Sequence, residues 1–237
     1  MKSIYSILAL GLSALPLTGQ AQHLEAIGVS ASFNISQTQA EPTQIQLGKY
    51  TFHTNDDNSR LDDTGNRYSV FARFGMGEKR LFVQPEVAYT SVLGNQSSIS
   101  WLSVPDAPFG NVLYLYPRLR RVEVAALAGL HLGRRLYLVA GPVLARYRRE
   151  NRGSATEIEA LQSAIYGSAV RYQALGQLGL GWQLGRFDLN ARYERSLTPY
   201  SRAFDFQGQT YAFRQRSGQA LLTAGFLLYD KHCPWRR

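Results

Sequence analysis

The sequence predicts an all-β protein, an eight-stranded antiparallel up-and-down transmembrane β-barrel with long extracellular loops and short periplasmic turns. Three observations predict it: segments of strict apolar/polar alternation, a long-short-long rhythm of the polar intervals between them, and an unusually charged polar face. The stretch "GRFDLNARYERSL" shows the last, with Phe187, Leu189, Ala191 and Tyr193 alternating with Asp188, Asn190, Arg192 and Glu194. A strand of that kind has oil on one side and water or a polar filling on the other.

The opening 22 residues, "MKSIYSILALGLSALPLTGQAQ", hold one cation, an apolar run and a small-residue ending, the pattern of a secretory signal peptide over residues 1–21. Residues 22–237 are then the barrel domain. No later segment reaches the roughly 20 apolar residues of a spanning helix, so a membrane is crossed as strands or not at all. A single Cys233 excludes an internal disulfide.

The predicted strands follow in order. Residues 24–36 place Ile27, Val29, Ala31, Phe33 and Ile35 on one face against Gly28, Ser30, Ser32 and Asn34. A long interval leads to 67–75, with Tyr68, Val70, Ala72 and Phe74, and a tight turn leads back through 81–91, where Val83, Val87 and Tyr89 oppose Gln84, Glu86 and Thr90. After a second long interval, 119–131 sets Val122, Val124 and Ala126 against Arg121 and Glu123. Residues 136–147 are apolar on both faces and leave their facing open. A third long interval precedes 169–182, a short "LGR" turn joins it to 187–197, and a fourth long interval precedes 218–229. Tyr68, Tyr89, Tyr147, Trp182 and Tyr229 near strand ends are expected to form an interfacial girdle. The soluble alternative is a lipocalin-like up-and-down barrel and periplasmic ligand binder, with the facing of every strand reversed. It is disfavoured because one face is rich in Gly, Ser, Asn and Gln, which suits a narrow lumen.

"LFVQPEVAYTS", "RRVEVAALAGLHLGRRLYLVAGPVLARYR" and "FDLNARYERSLTPYS" resemble strands of the outer-membrane β-barrel family typical of Bacteroidetes, which includes the PorT-like proteins. The resemblance runs in rhythm over most of the mature chain and implies a fold, a cell outer membrane location and an accessory role in secretion. It implies no reaction. The chain departs from the family pattern at Ala125 and Gly129, where many relatives carry Pro and a basic residue, and in its tail "DKHCPWRR".

An eight-stranded barrel has room inside only for side chains, so Glu86, Glu123, Arg192 and Glu194 are expected to pair with one another as a structural charge network plugging the lumen. No catalytic residues, cofactor or metal are expected. His53 with Asp56, Asp57, Asp62 and Asp63 reads as a solvated acidic loop without calcium-loop spacing, and His232–Cys233 as a pair in the tail. The chain carries 26 Lys+Arg against 17 Asp+Glu, and the clusters Arg118/Arg120/Arg121, Arg134/Arg135, Arg146/Arg148/Arg149/Arg152 and Arg214/Arg216 point to anionic partners. Export disfavours nucleic acid; outer-membrane lipid and lipopolysaccharide phosphates suit guanidinium forks, and other envelope proteins are further expected partners. The expected function is loop-mediated binding, structural or secretion-accessory, through aromatic loop segments "SWLSVPDAPFGNVLYLY" and "YSRAFDFQGQTYAF". An outer-leaflet lipid-modifying enzyme is the alternative.

Overall fold

In a computed structural model of the chain, residues 22–40, 43–54, 63–77, 80–93, 100–104, 112–114, 119–148, 156–212 and 214–231 are described. The signal-peptide expectation and the His232–Cys233 pair lie outside them, as do Asp56, Asp57 and Asp62. The elements run in order as β1 (Gln22–Ala40), β2 (Thr43–Leu47), β3 (Tyr50–Thr54), β4 (Asp63–Met76), β5 (Leu81–Leu93), β6 (Ser100–Ser103), β7 (Val112–Tyr114), β8 (Leu119–His131) and β9 (Leu136–Tyr147). Helix α1 (Glu157–Gly167) follows, then β10 (Tyr172–Leu184), β11 (Phe187–Ser196), β12 (Phe204–Phe206), β13 (Gln209–Tyr211) and β14 (Gln215–Asp230).

Eight of these strands close a barrel in the order β1-β14-β11-β10-β9-β8-β5-β4, every neighbour antiparallel. The seam between the first and last strands runs from Ala26↔Asp230 to Ala40↔Gln215, with one bulge at Ile27/Gly28. No edge is left unpaired, which is what allows strands to sit in hydrocarbon without naked backbone groups. Tight turns join β8–β9 and β10–β11, only four residues separate β4 from β5, and the β10–β11 turn uses Gly185 at φ 57°, a left-handed conformation that glycine adopts without strain. Two prolines sit in barrel strands. Ladder pairing skips from Phe71↔Glu86 to Phe74↔Val83 around Pro85, and from Ala125↔Val143 to Ala128↔Ala140 around Pro142, because proline has no N–H to give.

The facing is that of a membrane barrel. Val70, Val87, Val124, Leu180, Leu189 and Leu222 are all exposed, Leu222 at 63%, whereas Arg67, Gln84, Glu123 and Gln173 are each 0% exposed. A soluble ligand-binding barrel would have the opposite arrangement, so the lipocalin-like alternative is overturned. Strand β9, ambiguous by pattern, turns Tyr137, Val139, Val143, Ala145 and Tyr147 inward and Leu136, Leu138 and Arg146 outward. Both its faces are apolar because its sector of the lumen is apolar, sharing a cluster with Phe82, Ala125, Leu127 and Leu175. Tyr147 therefore leaves the expected girdle and points into the lumen at 5% exposure, while Tyr68, Tyr89, Trp182 and Tyr229 remain on the outer surface.

The described parts of the four long connections are not free loops. The first two supply a four-stranded sheet, β2-β3-β6-β7, the third supplies α1 and the fourth the β12–β13 hairpin. They share one apolar core: Leu47, Tyr50 and Phe52 from the first connection, Leu102 and Val104 from the second, Leu161 and Ile165 from α1, Phe204 and Phe206 from the fourth. The result is a folded extracellular cap. Helix α1 starts with a capping box in which Thr156 Oγ1 accepts from Glu159 N while Glu159 accepts from Thr156 N. It presents Ile158, Leu161 and Ile165 at helical spacing to the cap core. The helix also moves the start of the sixth barrel strand from residue 169 to Tyr172, leaving Ala169 in a single bridge with Ser201.

Candidate functional site: the lumen network and the outer rim

Alternation dictates what the lumen contains, because every second residue of each barrel strand must point inward. Glu86 on β5, Glu123 on β8 and Arg192 and Glu194 on β11 all do so, each buried. Glu86 is held between two arginines, with Arg67 Nη1 at 2.5 Å from Oε1 and Arg192 Nη1 at 2.8 Å from Oε2. Arg67 also donates through Nε to Glu123 Oε2 at 2.9 Å, and Arg121 Nε reaches Glu123 Oε1 at 2.5 Å. The other arm of Arg121 pairs with Glu194. The four expected residues thus belong to one network, but they are joined through Arg67 and Arg121 rather than only to each other.

Neutral side chains add hydrogen bonds to the carboxylates. Thr90 Oγ1 donates to Glu123 at 2.6 Å, Gln84 to Glu86 at 3.1 Å, and Gln177 and Gln219 to Glu194 at 3.1 and 2.8 Å. A second knot lies toward the periplasmic end, where Arg73 Nη2 stands 2.7 Å from Asp188 Oδ2 and Tyr137 Oη donates to Asp188 Oδ1 at 2.5 Å. The Arg73 guanidinium lies 4.2 Å from the Tyr137 ring centroid. Tyr137 fits only because Gly181 faces it; a Cβ there would stand 1.9 Å from the ring. Four buried arginines (Arg67, Arg73, Arg121, Arg192) face four buried acids (Glu86, Glu123, Asp188, Glu194), so these pairs bring no net charge inside, and a fifth buried acid, Asp230, accepts from Gln183. A buried charge is tolerable only when paired and hydrogen-bonded, and balance is how this lumen meets that demand.

Arg67 and Arg73 are members that the sequence reading does not name, though their signal is present: both lie opposite the apolar face of Tyr68, Val70, Ala72 and Phe74, while Asp188 lies on the charged face it shares with Arg192 and Glu194. Arg121, grouped by sequence with its neighbours as a cation for anionic partners, is also set beside Glu123 opposite Val122 and Val124, and it is this parity that the lumen obeys. Arg120, Arg146 and Arg148 take the opposite parity and lie at the outer rim. Arg134 and Arg135 are exposed at a periplasmic turn, and Arg214 and Arg216 are exposed at the outer end of β14. Arg118, Arg149 and Arg152 are outside the described residues.

The histidines do not assemble a catalytic set among the described residues. His53 Nε2 is 3.0 Å from Ser103 Oγ across β3 and β6 on the face of the cap sheet opposite its core. At the periplasmic mouth His23 and His131 flank Glu25 at 3.4 and 3.3 Å. No group of three or more His, Cys, Asp or Glu able to hold a metal occurs among the described residues. Of the aromatic segments expected at loop tips, the described residues Leu102, Val104, Phe204 and Phe206 are buried in the cap core and are not free for adhesion.

No protein-family model matches the chain, and no curated protein matches it. Among solved structures it is similar to the outer membrane protein Ail of Yersinia pestis, at 14% identity over 84% of this chain and 99% of that one, TM-score 0.39. It is similar also to Neisserial surface protein A, at 12% identity over 86% and 98%, TM-score 0.41, and to the outer membrane protein AlkL, at 12% identity over 92% and 97%, TM-score 0.39. Likeness at these scores carries no weight of its own. The outer-membrane location stands on the chain's closed ladder, lipid-facing belt and polar interior.

Proposed function

We propose that this outer-membrane barrel is non-enzymatic, that its lumen is a plug, and that its working surface is the folded extracellular cap, used for binding, structural contact or accessory work in secretion. The observation that carries the reading is the balanced network of four arginines and four carboxylates, to which Gln84, Thr90, Gln177 and Gln219 add hydrogen bonds. An eight-stranded barrel has room inside only for side chains, and a lumen filled by paired ones supports the reading of a plug that serves as a rigid base for a recognition surface. The secretion-accessory form is what resemblance to the PorT-like barrels of Bacteroidetes implies, with another envelope protein as the partner. Planar-bilayer recording on the purified protein tests the plug: no conductance steps are expected, and reproducible steps in the wild type would overturn it.

The lipid-modifying alternative has one observation in its favour, the His53–Ser103 pair. It is a part-buried cross-strand contact in the cap rather than a group level with the lipid belt. His53→Ala should therefore leave the lipid A profile unchanged by mass spectrometry. A changed profile would make His53 a base and return the enzyme reading.

A further inference from the structure

On the outer wall, at the outer ends of β8, β9 and β10, a groove of about 550 Å³ is lined by Arg120, Arg146, Arg148 and Arg171 together with Tyr89 and Val122, and it is backed by Arg121 and Tyr147, whose side chains turn into the lumen. The strand ladder builds it. Val122, Arg146 and Tyr172 form one row across three strands, and one step outward Arg148 N donates to the carbonyl of Arg120 at 2.9 Å. Arg171 is tied in by its carbonyl, which accepts from Tyr147 N at 2.9 Å. Arg146, Arg148 and Arg171 are exposed and Arg120 half-buried.

Like charges on neighbouring strands repel, and sheets ordinarily set opposite charges across from each other. Here Arg120, Arg146, Arg148 and Arg171 have no ion pair with a carboxylate among the described residues; the nearest acid in the ladder, Glu123, faces the lumen and is engaged by Arg67 and Arg121. Below the guanidinium groups the floor is Tyr89 and Val122, continuous with the lipid-facing Val87 and Val124. Cationic rim above and hydrocarbon belt below describe the inverse of a phosphorylated lipid.

We propose that this groove is a binding site for the phosphoryl group of an outer-leaflet lipid, with Arg120, Arg146, Arg148 and Arg171 gripping the phosphate oxygens and Tyr89 and Val122 meeting the first carbons of an acyl chain. Guanidinium forks match phosphate oxygens in a bidentate way, and several of them around one dianion remove the repulsion that the empty cluster carries. The site rests on the membrane-spanning reading of the barrel, which a heat-modifiability gel checks separately, and it is independent of what the cap recognises.

Native mass spectrometry of the refolded protein in detergent micelles, titrated with bisphosphorylated lipid A, tests it. The wild type should bind, and Arg146→Gln/Arg148→Gln should bind at least about tenfold more weakly, the equivalent of losing one good charged contact. Arg134→Gln/Arg135→Gln, which removes the same charge at the periplasmic turn, should bind as the wild type does. Fully dephosphorylated lipid A should not bind. Loss in the rim variant with no displacement by millimolar inorganic phosphate assigns the site to a lipid; loss with displacement keeps the phosphoryl site but assigns it to a soluble phosphate. Equal binding by the rim variant, or equal binding of the dephosphorylated lipid, overturns the proposal. All variants must keep the heat-shift of the closed barrel, so a misfolded protein cannot imitate the result.

Discussion

The barrel and the cap are built from one chain on opposite plans. In the barrel the buried side chains include Arg67, Glu86, Glu123 and Glu194 beside one apolar sector, and the exposed ones include Val70, Leu180 and Leu222. In the cap Leu47, Phe52, Leu102 and Leu161 are buried, and Gln44, Gln46 and Lys49 face out. The described large hydrophobics that stand exposed all lie on barrel strands or beside them, none in the cap sheet, helix or hairpin. The difference teaches that the boundary between lipid and water falls at the strand ends. Above it the usual hydrophobic effect organises the fold. Below it the outer surface needs no burial, and what must be satisfied is the polar interior.

The comparison breaks most sharply if a lumen charge behaves like a cap residue. Glu86→Ala strands Arg192 and half of Arg67 in a dry interior, and removing one partner of a buried pair costs about 3–5 kcal/mol. Urea unfolding of the barrel in lipid vesicles should show a loss of that size. A loss below about 1 kcal/mol, the range of exposed pairs, would mean that water reaches the network and that the plug is open.

Leu161→Ala probes the other plan. It opens a cavity in the cap core, at a cost of about 2–5 kcal/mol, and should speed proteolysis of the connections while the barrel keeps its heat-shift. A barrel that unfolded with the cap would show that the two regions are one cooperative unit.

How much of this was legible follows from element length. Barrel strands run 10 to 19 residues, long enough for period-2 alternation to stand out, and the order, rhythm and antiparallel closure were readable from it. The cap strands are three to five residues, too short for a period to declare itself inside an interval that looked merely polar. Two cues were nonetheless there. Ile45/Leu47 and Tyr50/Phe52 flank Gly48–Lys49, a hairpin signature whose Gly48 has φ 62°. Thr156-x-x-Glu159 opens a stretch in which Ile158, Leu161 and Ile165 stand at helical spacing. The lumen was legible in its acids and less so in its arginines, because a basic cluster at a strand end reads as surface until parity is applied to each member. Strand β9 could not be faced by pattern at all, since Val139 and Val143 meet an apolar patch of lumen while Leu136 and Leu138 meet lipid.

Val124→Arg sharpens the lipid side of the comparison. Val124 is 49% exposed near the middle of β8, and an arginine at the bilayer midplane costs about 2–4 kcal/mol. Gln44→Arg, on the outer face of the cap sheet, should change stability by no more than about 0.5 kcal/mol. Equal tolerance of the two in vesicle-based unfolding would place β8 in water.

The smallest expected effect tests whether the cap behaves as an aqueous fold in its electrostatics as well as its core. Glu157, at the start of α1, ties three connections together: Lys49 Nζ lies 3.1 Å from Oε2, Tyr50 Oη donates to Oε2 at 3.0 Å, and Gln207 Nε2 donates to Oε1 at 2.7 Å. The Lys49 hydrogen bond, then that from Tyr50, holds the Glu157 carboxyl below its ordinary 4.5. A folded value below the unfolded one gives stabilisation that is complete above about pH 4.5 and is lost as pH falls through the lowered value. The reverse holds for Lys49, raised above 10.5 first by its hydrogen bond to Glu157, so its share is present below that pH and lost as pH rises through the raised value. Both side chains are well exposed, so water and salt weaken the tie. Protease sensitivity of the wild-type cap should therefore rise slightly as pH drops below about 4.5, and Glu157→Gln should flatten that slope without moving the barrel's heat-shift. If the slope survived in Glu157→Gln, the acid response would belong to some other carboxylate, and the three connections would be held by their apolar core alone.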